Sequence, residues 1–99
     1  MPRLIWSAPA VASVQRLYRF LAIIDPAAAQ RAVAAIRVGV RILGAHPEVG
    51  RVVEEMDERF RDWPIDFGGS GYVVRYRFDG ELVTILTVRH QREGSFKSD

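Results

Sequence analysis

The pattern of apolar and polar positions divides the chain near residue 47. Before it, apolar residues recur every three or four positions; after it, they alternate. Residues 3–7 (Arg-Leu-Ile-Trp-Ser) are rich in strand formers, so a short opening strand is expected. Pro9 suits the first turn of a helix. Val11, Val14, Leu17, Tyr18, Leu21 and Ala22 then make an apolar stripe, with Ser13, Arg16 and Arg19 off it. That spacing predicts a first helix over 8–23. Asp25-Pro26 is the clearest local signal: the aspartate offers a capping oxygen, and proline fits the first helical position. Alanines 27–29 propagate well. Ala29, Ala32 or Val33, Ile36, Val40 and Leu43 form a second stripe, which Gly44 and Pro47 stop. A second helix is therefore expected over 26–44. The connection is only about three residues, which forces an antiparallel helical hairpin.

The second half reads as strands. Residues 59–65 form a short one, and Pro64 confines it to an edge or a bulge. Gly68-Gly69-Ser70-Gly71 is a flexible turn. Residues 72–78 alternate, Asp79-Gly80 is the strongest short hairpin signal, and 82–88 is β-rich again. A two-residue turn at Asp79-Gly80 would set Phe78 opposite Glu81, Tyr76 opposite Val83 and Val74 opposite Ile85. One face would then carry Tyr72, Val74, Tyr76, Phe78, Val83 and Ile85, and would receive the helices. The other would carry Val73, Arg75, Arg77, Leu82, Thr84, Leu86, Val88 and His90. Four aliphatic residues are too many for a solvent face, and two arginines too many for a core, so this face is expected to meet a partner. The predicted fold class is α+β in the order β-α-α-β-β-β, with the helices on one face of a C-terminal antiparallel sheet. A single domain over 1–99 is expected from the length.

Composition narrows the function classes. Cysteine is absent, which excludes disulfides and thiolate zinc sites. There is no run of 18 apolar residues and no secretory leader pattern, so a soluble cytoplasmic protein is expected, with no membrane partner. The net charge of +2 is too small to announce a nucleic-acid binder. Its distribution says more. Glu54, Glu55, Asp57, Glu58, Asp62 and Asp66 crowd residues 54–66. Arg75, Arg77, Arg89 and Arg92 follow against only Asp79 and Glu81. An acidic connector thus runs into a basic C-terminal segment.

Few residues suggest chemistry. Gly68-Gly69-Ser70-Gly71 lacks the Gly-Lys-Ser/Thr of a phosphate loop and the second glycine of a nucleophile elbow, so it reads as a loop. His46 and His90 have no metal-ligand spacing, and neither a metal nor a cofactor is expected. Arg89-His90-Gln91-Arg92-Glu93 places an imidazole between guanidiniums, a set that could bind phosphate and move a proton. It could equally be a solvated strand end or a cluster that binds an acidic protein. Arg37 and Arg41, with Arg31 nearby, read as a solvated helix face, or as a docking site for an acidic partner.

The order of these pieces resembles a known family. It comprises the strand, the helix, the Asp-Pro-Ala-Ala-Ala-Gln-Arg helix, and Pro47-Glu48-Val49-Gly50-Arg51. Gly-Tyr-Val-Val-Arg-Tyr-Arg at 71–77, the Asp-Gly hairpin and Val-Arg-His-Gln-Arg-Glu at 88–93 complete it. Together they resemble the ParE/RelE superfamily of type II toxins over nearly the whole chain. The resemblance implies a helical hairpin on a largely antiparallel sheet. It also implies a cognate ParD-like antitoxin, with a ribbon-helix-helix domain and a C-terminal segment that wraps the toxin in a hetero-oligomer. The RelE branch cuts mRNA on the ribosome. It carries two lysines on the strand before the Gly-Tyr, an arginine directly after it, and an arginine and a tyrosine near the C-terminus. Here the lysine positions hold Pro64 and Asp66, the arginine position holds Val73, and the tail offers Arg92 and Phe96 but no tyrosine. The ParE branch fits better, with Tyr72-x-x-x-Tyr76-Arg77 and a strand ending in His90-x-Arg92. Its implied action is inhibition of DNA gyrase by binding. On that reading Arg75, Arg77, Arg89, His90, Arg92 and Phe96 are the candidate target contacts. Leu17, Phe20, Ile36 and Val40 are the candidate antitoxin contacts where they escape burial. The alternatives are a ribosome-dependent ribonuclease using His90, Arg92 and Glu93, and an inactive relative that only binds its antitoxin.

Overall fold

A computed structural model describes residues 2–93. β1 (Arg3–Trp6) leads into α1 (Ala8–Ile24) and α2 (Pro26–Ala45). Four more strands follow: β2 (Arg51–Val52), β3 (Phe60–Phe67), β4 (Ser70–Phe78) and β5 (Leu82–His90), and then a 3-10 turn over Gln91–Glu93. The five-stranded sheet has the order β1-β5-β4-β3-β2, with β1 parallel to β5 and the other neighbours antiparallel. The α+β class and the helical hairpin are as the sequence predicts. The connection between the helices is tighter than expected, because Asp25 alone bridges them. Its backbone N–H donates to Leu21 O while its carboxylate accepts from the N–H groups of Ala27 and Ala28. One residue therefore closes α1 and caps α2.

Both helices pack on one sheet face. Ala10, Ala32, Ile36, Val40 and Leu43 meet Ile65, Tyr72, Val74, Tyr76, Val83, Ile85 and Val88 in the core. β2 was not anticipated; its two residues pair only with Asp62 and Arg61, so Pro64 lies on the part of β3 that no outer strand covers. That is the edge position proline requires. Of the expected Gly68–Gly71 turn, only Gly68 and Gly69 are turn; Phe67 pairs with Ser70, and Ser70 and Gly71 belong to β4.

The β4–β5 hairpin corrects the predicted register. Asp79 pairs back to Leu82, so the turn is Gly80-Glu81. The Asp79 carboxylate accepts from the N–H groups of Glu81 and Leu82 at 3.0 and 2.8 Å, and Gly80 takes φ +101°. The side-chain bonds fix the turn so that the left-handed residue is the glycine. Phe78 therefore faces Val83 and Tyr76 faces Ile85. A slip of two keeps the predicted faces. A bulge then breaks them: Arg75 pairs with Thr87, and Leu86 is the extra residue. Beyond it the phase inverts, so Val88 and His90 join the helix face while Thr87 and Arg89 join the outer one. Both Val88 and His90 had been expected on the outer face.

α1 supplies what the bulge needs. Ser7 caps the helix by accepting from Ala10 N–H, and its hydroxyl donates to Leu86 O at 3.3 Å. Ser13, expected off the apolar stripe, is only 3% exposed. Its hydroxyl donates to Ala10 O at 2.7 Å and accepts from Val88 N–H at 3.0 Å. Val11, expected on the stripe, is exposed instead. β1 is too short to reach this stretch of β5, so two serines take the ladder partners' place.

Candidate functional site

Tyr72 and Tyr76 organise the helix face of β4. The Tyr76 hydroxyl donates to Pro47 O at 2.7 Å and accepts from Gly50 N–H at 2.9 Å. Arg61 Nη1 donates to Glu48 O and Gly50 O at 3.0 and 2.8 Å. The Pro47–Arg51 motif is thus a loop pinned by its own carbonyls and one amide. Gly50 is needed there, because an added Cβ would stand 2.5 Å from the Tyr76 oxygen. Burial pushes the phenols of Tyr72 and Tyr76 above their usual value.

At the other end of β4, the bulge delivers His90 to the helix side. Its ring meets the Tyr72 ring edge-on, with centroids 5.4 Å apart. Nδ1 accepts from Arg92 N–H at 3.0 Å, which leaves Nε2 to carry the proton of the neutral ring and donate to Ser70 Oγ, also at 3.0 Å. A groove of about 440 Å³ opens beside this cluster, lined by Arg16, Leu17, Phe20, Leu21, Tyr72, His90 and Arg92. Its floor is apolar and its rim carries Arg16 and Arg92. The C-terminal end of α1 extends the apolar surface: Phe20, Ile23 and Ile24 are 66%, 85% and 73% exposed. Such a patch marks an interaction surface rather than a solvated helix end.

The candidate residues therefore regroup. His90 and Arg92, expected to contact the target, share one groove with Leu17 and Phe20, expected to contact the antitoxin. Ile36 and Val40 leave the contact set, because they are 1% and 2% exposed in the core. Arg75, Arg77 and Arg89 lie on the opposite, outer sheet face. Arg75 is engaged there: its Nε and Nη2 grip the two Asp62 carboxylate oxygens at 2.9 and 3.0 Å. Arg77 Nε and Thr84 Oγ1, on paired positions of this face, are buried without a hydrogen-bond partner among the described residues. Glu93 falls in the 3-10 turn, and Phe96 lies outside the described residues. Ser7 and Ser13 are functional in folding and were missed. Their signal is the serine spacing opposite a strand, and it has meaning only once the bulge is known. Among the described residues, no group of three or more His, Cys, Asp or Glu could hold a metal, and no helix is long and apolar enough to cross a membrane.

A small α+β domain that offers an apolar groove with a cationic rim, and a sheet face rich in arginine, is built to engage macromolecules through its surfaces. A family model described as the ParE toxin of the type II toxin-antitoxin system parDE matches residues 4–94, and the chain belongs to that family. It is 33% identical over 78 residues to Toxin RelE3 of Caulobacter vibrioides, covering 79% of this chain and 82% of the relative. The fold is also that of a chain solved in the chromosomal ParDE system of P. aeruginosa. That match has a TM-score of 0.77 at 24% identity, covering 91% of this chain and 96% of the other.

Proposed function

We propose that this toxin arrests growth by binding and inhibiting DNA gyrase, without cleaving a substrate itself, and that a ParD-like antitoxin neutralises it. One observation carries the choice over mRNA cleavage. The three positions at which the RelE branch holds cations come together on the sheet's outer side: Pro64 pairs with Val73, and Asp66 lies two residues further along β3. An apolar pair beside a carboxylate repels phosphate rather than gripping it. His90 adds support. A base that must accept a proton needs a free lone pair, and the Nδ1 lone pair is taken by the Arg92 amide while Nε2–H is turned to Ser70. On this reading Arg92 supplies charge to the target and His90 holds the segment in place. Phe20, Ile23 and Ile24 offer an apolar segment of the antitoxin a surface to cover.

Expression in a host lacking the antitoxin tests the roles. Wild-type protein should arrest growth. Arg92→Ala should relieve arrest more than His90→Ala, with circular dichroism showing that both variants are folded. Loss of activity of roughly 100-fold or more for His90→Ala, with little effect from Arg92→Ala, would move the assignment to the ribonuclease.

A further inference from the structure

β1 is the end of the sheet, and among the described residues no strand lies beyond it. In a parallel pair, alternate residues of a strand direct both backbone groups to the neighbour. Arg3 N–H donates to Glu81 O and Ser7 N–H to Ile85 O, so Leu4 and Trp6 turn their N–H and C=O outward, away from β5. The side chains of these two residues also line a groove of about 370 Å³ between β1 and α2, completed by Arg37, Val40, Arg41 and Gly44. The floor is apolar. The helix wall carries two guanidiniums one turn apart, and α2 contains no acidic residue along its length. Natural proteins usually blunt a free edge with proline, a charge pointing inward or a covering element. Here the edge is straight, its backbone groups are open, and the groove beside it is unfilled.

We propose that the free edge of β1, with the groove between β1 and α2, receives an extended acidic segment of a partner protein as a sixth strand. The segment's backbone pairs with Leu4 and Trp6. Its apolar side chains, on alternate positions, enter the groove over Leu4, Trp6 and Val40, and its carboxylates reach Arg37 and Arg41. Backbone pairing supplies affinity, and the groove with its two arginines supplies selectivity. Charge decides the class of occupant: a basic segment would meet two uncompensated guanidiniums, and an acidic one pairs with them. The inference goes beyond the antitoxin reading, because it concerns the chemistry of β1 and α2 whatever protein the segment comes from.

A synthetic heptapeptide, acetylated and amidated, with Glu or Asp alternating with Val or Ile, is the probe. Added to isotope-labelled full-length protein, it should slow amide hydrogen exchange at Leu4 and Trp6 by at least tenfold and leave Ile5, already paired to β5, little changed. Arg37→Glu with Arg41→Glu should weaken binding at least tenfold; both side chains are exposed, so the fold persists. Gly44→Gln, where an added Cβ would sit 4.0 Å from Leu4 Cδ1, should fill the groove and weaken binding similarly. Equal binding of the Lys-substituted peptide, protection elsewhere without protection at Leu4 and Trp6, or no protection at millimolar peptide would each overturn the proposal. None of these results would alter whether an antitoxin restores growth, so the two readings fail separately.

Discussion

Replacing Tyr76 by phenylalanine removes one oxygen and little else, and its cost can be worked from the structure. The hydroxyl makes two bonds, to Gly50 N–H and to Pro47 O. Tyr76 and Gly50 are buried, while Pro47 is half open to water. Solvent can therefore replace the hydroxyl at the carbonyl but not at the amide. A buried donor left unpaired costs about 1–3 kcal/mol. A domain of this size holds roughly 5–15 kcal/mol in total, and each kcal/mol moves its melting temperature by about 4–8 °C. A loss of about 2 kcal/mol thus lowers Tm by roughly 8–16 °C. Tyr76→Ala adds a cavity and should cost about 3–5 kcal/mol. Arg75→Ala is the control. Its guanidinium and the Asp62 carboxylate are 17% and 14% exposed, so loss of the ion pair strands a partly buried carboxylate, at about 1–3 kcal/mol. Arg75 is therefore not the neutral surface position that its sequence pattern suggests. Urea unfolding followed by circular dichroism gives all three values. A Tyr76→Phe midpoint indistinguishable from wild type, or Arg75→Ala costing more than Tyr76→Ala, would refute the assignment of Tyr76 as the anchor of the Pro47–Arg51 loop.

Two further outcomes follow from the same geometry. Ser13→Ala should destabilise by about 1–3 kcal/mol, since Val88 N–H then has no partner in the core; melting curves check it, and a change below about 0.5 kcal/mol, usual for a surface site, contradicts it. Burial raises the folded pKa of Tyr72 and Tyr76 above the 10.0 of the free phenol. Their contribution to stability is therefore complete below pH 10 and declines as pH rises above it. Urea midpoints should fall from pH 9 to pH 11, and fall less steeply in Tyr76→Phe.

What the sequence reveals depends on how far apart the deciding atoms lie. Asp25-Pro26 is legible because cap, proline and helix are adjacent. The helical hairpin, the α+β class and the core side of Tyr72, Val74 and Tyr76 follow from local periodicity. The hairpin register does not, because the Asp79 carboxylate chooses which residues make the turn. The bulge at Leu86 is further out of reach. It is held by Ser7 and Ser13, 79 and 75 residues away from their partners in sequence. That one irregularity decides the site: without it His90 would lie on the outer face, apart from Leu17 and Phe20. β2 escapes notice because two residues carry no period; pairing to β3 makes them a strand.

The central claim is that this chain acts by holding gyrase rather than by cutting RNA. DNA supercoiling by purified gyrase, measured with increasing amounts of the purified, folded toxin beside a cleavage assay on ribosome-bound mRNA, tests it most directly. The account predicts that supercoiling falls as toxin is added while the mRNA stays intact. Cleaved mRNA with supercoiling unaffected would contradict it.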